Sequence, residues 1–142
     1  MNIMPATKYP NRTPEEMKNR WVVRQASLAK ADAAGIKVHR LIGEYGGAPE
    51  LAGIVDEPHK FGFERVEALP GQGIASLQHD YVVVLFSFNS KWRVYWGNET
   101  GTVDGEIVLD QWDLFSVPAG IWFGFENIGE SHGTLLVAKE DH

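Results

Sequence analysis

An all-β domain built from short antiparallel strands, closed as a sandwich or barrel, is the fold class this sequence predicts. Three observations carry it. Fifteen glycines and seven prolines in 142 residues demand many turns. From Lys60 onward, short apolar runs alternate with period two and are separated by turn signals. No internal repeat, heptad pattern or low-complexity tract offers a competing architecture.

The elements follow in order. Thr13-Pro14-Glu15-Glu16 reads as a helix start: Thr13 caps, Pro14 fits the first helical position and Glu16 completes a capping box. This helix is expected to be short, because Trp21-Val22-Val23 is strand-like. Residues 27–35 predict one or two further helical turns ended by Gly35. Residues 1–35 thus form a partly helical N-terminal arm, and residues 36–142 the barrel. Ile36 to Gly43 alternates as an edge strand would, and residues 45–58 read as an irregular loop.

In the next strand Phe61, Phe63, Arg65 and Glu67 share one face, and Gly62, Glu64, Val66 and Ala68 the other. Tyr81 to Phe86 is apolar on both faces, as in a strand covered on both sides. Trp92 to Trp96 alternates again, and Gly97 to Gly101 turns the chain. Thr102–Leu109, Phe115–Val117, Ile121–Glu126 and Thr134–Val137 complete the set.

Composition narrows the function. Zero cysteines exclude disulfides, thiolate metal sites and cysteine nucleophiles. A net charge of −6 argues against a general nucleic-acid binder, which needs a basic face. The charge is uneven: +3 over residues 1–35 and −9 over the remainder. No segment approaches the ~20 apolar residues of a membrane span. The first ten residues hold no signal-peptide-like apolar stretch, so a cytoplasmic protein is expected. No G-x-S-x-G, P-loop, dinucleotide or H-E-x-x-H motif is present, which removes common hydrolase, nucleotide and protease readings.

The stretch Trp112 to Asn127 resembles the second signature of the cupin family, G-x5-P-x-G-x2-H-x3-N. Pro118, Gly120 and Asn127 fall on the pattern, Trp112 takes the glycine position and Phe123 the metal-binding histidine position. The first signature, G-x5-H-x-H-x3,4-E-x6-G, can be laid on Gly71 to Ser90. Gly71 matches, Leu77 and His79 take the two histidine positions, Val83 (or Val84) the glutamate position and Ser90 the closing glycine. The resemblance covers roughly residues 60 to 139. It implies a double-stranded β-helix, an antiparallel jelly-roll barrel whose interior holds a small-molecule pocket, and a homodimer. The basic arm would then pack across a partner's barrel or over its own.

In that family the two signatures aim three histidines and a glutamate into the barrel to bind a divalent metal. Only His79 remains here, and a catalytic metal usually needs about three protein ligands. No cofactor and no metal are therefore expected, and Leu77, Val83 and Phe123 would make the pocket apolar. His79 has two readings: a general base or substrate partner whose pKa burial would lower, or a core histidine satisfied by a carbonyl or water. Arg93 and Tyr95 share a strand face; turned inward they would hold a carboxylate or phenolate, turned outward they leave the tryptophans to fill the core. Phe125, like Trp122, either packs or stacks on substrate. His39, His59, His132 and His142 are assigned surface roles.

Cupins include dioxygenases, isomerases, decarboxylases, lyases, storage proteins and sugar sensors, so the resemblance leaves function open. The leading expectation is a metal-independent isomerase, lyase or cyclase moving a proton on a small organic metabolite, aromatic or carboxylated among the options, with His79 as base. A non-catalytic binding protein and a metal-dependent dioxygenase are the alternatives.

Overall fold

Nine antiparallel strands and one short helix make up residues 13–24, 36–42 and 60–140, the part of the chain described by the computed structural model. Helix α1 (Pro14–Arg20) starts as its sequence dictates: the Thr13 side chain accepts from the Glu16 N–H at 3.1 Å, with Pro14 in the first turn. Trp21-Val22-Val23 then continues without forming a strand, contrary to its β-branched composition. Propensity alone does not make a strand where no neighbouring strand pairs with it. The helical turns expected at 27–35 and the loop at 45–58 lie outside the described residues.

The strands are β1 (Ile36–Ile42), β2 (Phe61–Ala68), β3 (Gly73–Leu77), β4 (Val83–Ser87), β5 (Trp92–Gly97), β6 (Val103–Leu109), β7 (Leu114–Val117), β8 (Trp122–Asn127) and β9 (Gly133–Glu140). They form a five-stranded sheet, β1-β2-β9-β4-β7, facing a four-stranded sheet, β3-β8-β5-β6. All pairs are antiparallel. This is the jelly-roll solution to the period-two pattern: each strand turns one face to a shared interior. In β2 the inward face is Gly62, Glu64, Val66 and Ala68, and in β5 it is Trp92, Val94 and Trp96. β1 is an edge strand, as its sequence predicts.

The core runs through Val66, Ala68, Val83, Leu85, Trp92, Val94, Leu109, Val117, Phe123, Phe125, Leu135 and Val137. Trp92 is fully buried, meets Phe125 edge-on at 6.0 Å and donates its indole N–H to the Asn89 carbonyl at 3.0 Å. Below it Asn127, also fully buried, uses its whole hydrogen-bonding capacity. Its amide nitrogen donates to the carbonyls of Ala68 and Ser131, and its oxygen accepts from the Ser90 hydroxyl and the Gly129 N–H.

Four positive φ angles explain the glycine spacing noted in the sequence. Gly71 (φ 83°), Ser90 (φ 67°), Trp112 (φ 75°) and Gly120 (φ 82°) all adopt the left-handed conformation, and these are the four glycine positions of the cupin-like signatures. The turns keep their geometry where the glycine itself is gone. Trp112 is 62% exposed and its ring meets Phe86 and Phe88 at 5.9 and 5.8 Å. A Cβ in this region costs roughly 1–2 kcal/mol. Trp112→Gly should therefore be more stable than Trp112→Ala by about 1 kcal/mol in denaturant unfolding, the reverse of the ordinary order. An alanine variant equal to or above the glycine variant would contradict the left-handed turn.

Candidate functional site

The four signature positions converge. Leu77, His79, Val83 and Phe123 line one cavity of about 160 Å³ inside the barrel. Leu77 and His79 are two apart and so share a face. Ile74 lines the same cavity although it is three residues from Leu77, which a regular strand forbids. A register shift between Ile74 and Leu77, with Ser76 at φ 59°, adds the extra residue that turns both inward. The second signature then fixes the first: the Gly120 N–H donates to the His79 carbonyl at 2.8 Å, and the Gln78 side-chain amide to the Gly120 carbonyl at 3.2 Å.

The walls are apolar: Val38, Val66, Leu85, Phe125 and Val137 complete them. Against these walls stand four groups with polar heads, Arg40 from β1, Glu64 from β2, His79 after β3 and Lys139 from β9. Lys139 Nζ lies 2.8 Å from Glu64 Oε1, a short ion pair whose carboxylate is only 6% exposed. Few such pairs survive burial without good geometry and further polar partners. The His79 ring stacks on Tyr81 at 4.8 Å and meets Phe123 at 6.4 Å. Burial in this setting lowers its pKa below the ordinary 6.5, and the Lys139 ammonium lowers it further, while Glu64 and Asp80 act in the opposite sense. Near neutrality His79 is therefore a neutral imidazole, able to accept a proton.

Other assigned residues stand elsewhere. Arg93 and Tyr95 do not line this cavity; they lie on the outer face of β5, because Trp92 and Val94 take the inner one. Arg93 pairs with Glu106 and reaches Glu126 at 3.8 Å, and its guanidinium sits 4.4 Å over the Tyr95 ring. Tyr95 in turn covers Gly124, where any Cβ would collide with its ring. His39 is a correction to the surface assignment: it is buried and its Nε2 lies 3.3 Å from Glu67 Oε2. His132 is half exposed, 3.9 Å from the same carboxylate, and His59 and His142 lie outside the described residues.

Sequence reasoning missed Arg40, Glu64 and Lys139. Their signal was present in the alternation: Glu64 shares a face with Val66 and Ala68, and Lys139 lies two residues beyond Val137. A charge on the apolar face of a strand marks a polar group turned inward.

The two-sheet geometry, with both signature turns at its waist, can be set against known structures. An RmlC-like cupin from Shewanella frigidimarina superimposes with a TM-score of 0.61, at 14% identity, over 87% of this chain and 92% of that one. The fold is that of the cupins. TT1209 from Thermus thermophilus matches with a TM-score of 0.60, at 18% identity, over 84% of this chain and 96% of that one. An oxalate oxidase matches with a TM-score of 0.62, at 15% identity, and there the cupin-like chain spans 59% of the other protein. No family model and no curated protein matches the sequence.

The cupin fold brings with it the expectation of a divalent metal held by three histidines and a glutamate. The residues here do not fit one. Three of the four positions are hydrocarbon, and the carboxylate that lines the cavity, Glu64, is engaged by an ammonium. Among the described residues no three histidine, aspartate or glutamate side chains gather closely enough to hold a metal ion. Nor is any described helix long and apolar enough to cross a membrane.

Proposed function

We propose that this cupin-fold chain takes a small organic metabolite into the barrel cavity and moves a proton on it without a metal, as an isomerase, lyase or cyclase does. The observation that carries this reading is a neutral imidazole and a part-buried ammonium facing one apolar cavity. His79 accepts the proton. Lys139 and Arg40 stabilise the negative charge that develops on the substrate, an effect strengthened where water is excluded. Glu64 holds Lys139 in place and keeps its charge in the cavity. Phe123 and Tyr81 fix the imidazole plane by ring contact.

A non-catalytic binding protein is the second reading, favoured by the ion pair, which already neutralises Lys139. Exchange in heavy water separates the two. The protein is incubated with a panel of carbon acids in D2O, and the compounds are weighed by mass spectrometry. We expect at least one compound to gain deuterium or isomerise with the native protein and not with His79→Ala. A compound that raises the melting temperature yet neither exchanges nor converts would leave a binding protein in place of an enzyme.

A further inference from the structure

A cavity of about 270 Å³ lies between the two sheets, larger than the one beside His79 and unused by the chemistry proposed there. Its floor is Val94, Val117 and Phe123, all buried, and Ile121 stands at its rim, 36% exposed. Trp96 of β5 and Phe115 of β7 come from opposite sheets and meet edge to face at 5.7 Å as its walls. Ser116 borders it as well, but Phe115 and Val117 turn inward, so strand alternation points the Ser116 hydroxyl outward. No charged side chain belongs to this lining.

The chain makes room for one of these walls. Gly105 pairs with Trp96 across β5 and β6, and a Cβ there would fall 2.5 Å from the indole. Any larger residue at 105 would drive the ring from its place. Native interiors leave few voids larger than a water molecule, because wall atoms without neighbours forfeit dispersion contacts. A well-formed apolar cavity framed by aromatic rings is instead the usual shape of a small-molecule site. An apolar cavity of about 150 Å³ stays dry and takes up benzene.

We infer that this cavity is a ligand site of its own, for an uncharged molecule with one aromatic ring and a short alkyl group. The ring would meet Trp96, Phe115 and Phe123 edge to face or offset, and the alkyl group would cover Val94 and Val117. A carboxylate or ammonium would find no partner in the lining and would be buried at a cost. The site goes beyond the proton-transfer reading and draws on none of its charged groups. Phe123 is a wall of both cavities, so the experiment has to tell them apart.

Toluene, ethylbenzene, cumene and benzoate are titrated into the intact chain, and the tryptophan indole N–H signals are followed by NMR, with Trp96 assigned through Trp96→Phe. The Trp96 signal should move with the three hydrocarbons, and affinity should rise about fourfold from toluene to ethylbenzene, the scale of one buried methylene. Benzoate is close to cumene in shape and should bind at least about 100-fold more weakly, because its charge goes unpaired. Ile121→Trp crowds the cavity from an exposed rim and should weaken cumene at least about tenfold. Gly105→Ala, which displaces Trp96, should weaken it too, whereas His79→Ala should leave it unchanged.

Benzoate binding as tightly as cumene would make the uncharged class wrong. Loss of cumene binding in His79→Ala, or native affinity in both Ile121→Trp and Gly105→Ala, would place the molecule elsewhere and end the case for this site. A Trp96 signal unmoved by saturating hydrocarbon would do the same. Each of these failures leaves the deuterium-exchange test of His79 untouched, so the two readings fall separately.

Discussion

The Asn127→Asp variant is expected to lose about 4 kcal/mol of folding stability, since two buried carbonyls lose their donors and face a carboxylate instead. The side chain is nearly isosteric, so packing is preserved and the loss reports the missing donors and the burial of a carboxylate. Asn127 joins the end of β2 through the Ala68 carbonyl, the turn before β5 through Ser90, and the turn before β9 through Gly129 and Ser131. Its backbone adds two more ties, accepting from the Gly71 N–H at 2.7 Å and donating to the Gln72 carbonyl at 2.9 Å. Asn127→Ala should fall in the range of about 3–5 kcal/mol for the same reason, with a cavity added. Thermal unfolding would show either variant about 10–20 °C below the parent. A loss under about 1 kcal/mol would mean that water replaces the amide and that the hub does not hold the barrel.

For a carbon acid identified by deuterium exchange, His79→Ala should lower turnover by about 10²–10⁴-fold, the scale of a general base. Ligand affinity should change far less, because the apolar walls and Arg40 remain. The pH profile gives a second readout. With its pKa lowered below 6.5, His79 is neutral and active at neutral pH, and activity should fall as pH drops through that lowered value. The same shift has a stability consequence with a definite sign. The unfolded chain binds the proton more readily than the folded one, so this group's contribution is complete above about pH 6.5 and is lost progressively below it. A His79→Ala protein that kept full turnover, or the same acid limb, would remove His79 from the mechanism.

Much of this was legible beforehand, for identifiable reasons. Period-two alternation and turn residues are local properties, so β2, β5 and β8 could be read from the chain within a residue or two. The signature spacing carried further than its residues did, because Trp112 and Ser90 keep the left-handed turns that glycine usually makes. Trp21-Val22-Val23 misled for the opposite reason: its strand propensity is local, but strand formation requires a partner. His39 misled too. Its neighbours in sequence gave no hint of Glu67, which reaches it across the β1–β2 pairing.

The sequence by itself determined the all-β sandwich-or-barrel class, the helix cap at Thr13 and the apolar character of Leu77, Val83 and Phe123, since each depends on residue type and short spacing; the jelly roll came only through the cupin resemblance. Which face of each strand turns inward was left to the tertiary structure. That choice sent Arg93 and Tyr95 to the outer surface and brought Arg40, Glu64 and Lys139 to His79 from strands that are distant in sequence. It rests on the summed burial of both sheets: Trp92 and Val94 can be buried only if Arg93 and Tyr95 are not, and no single strand settles that alone.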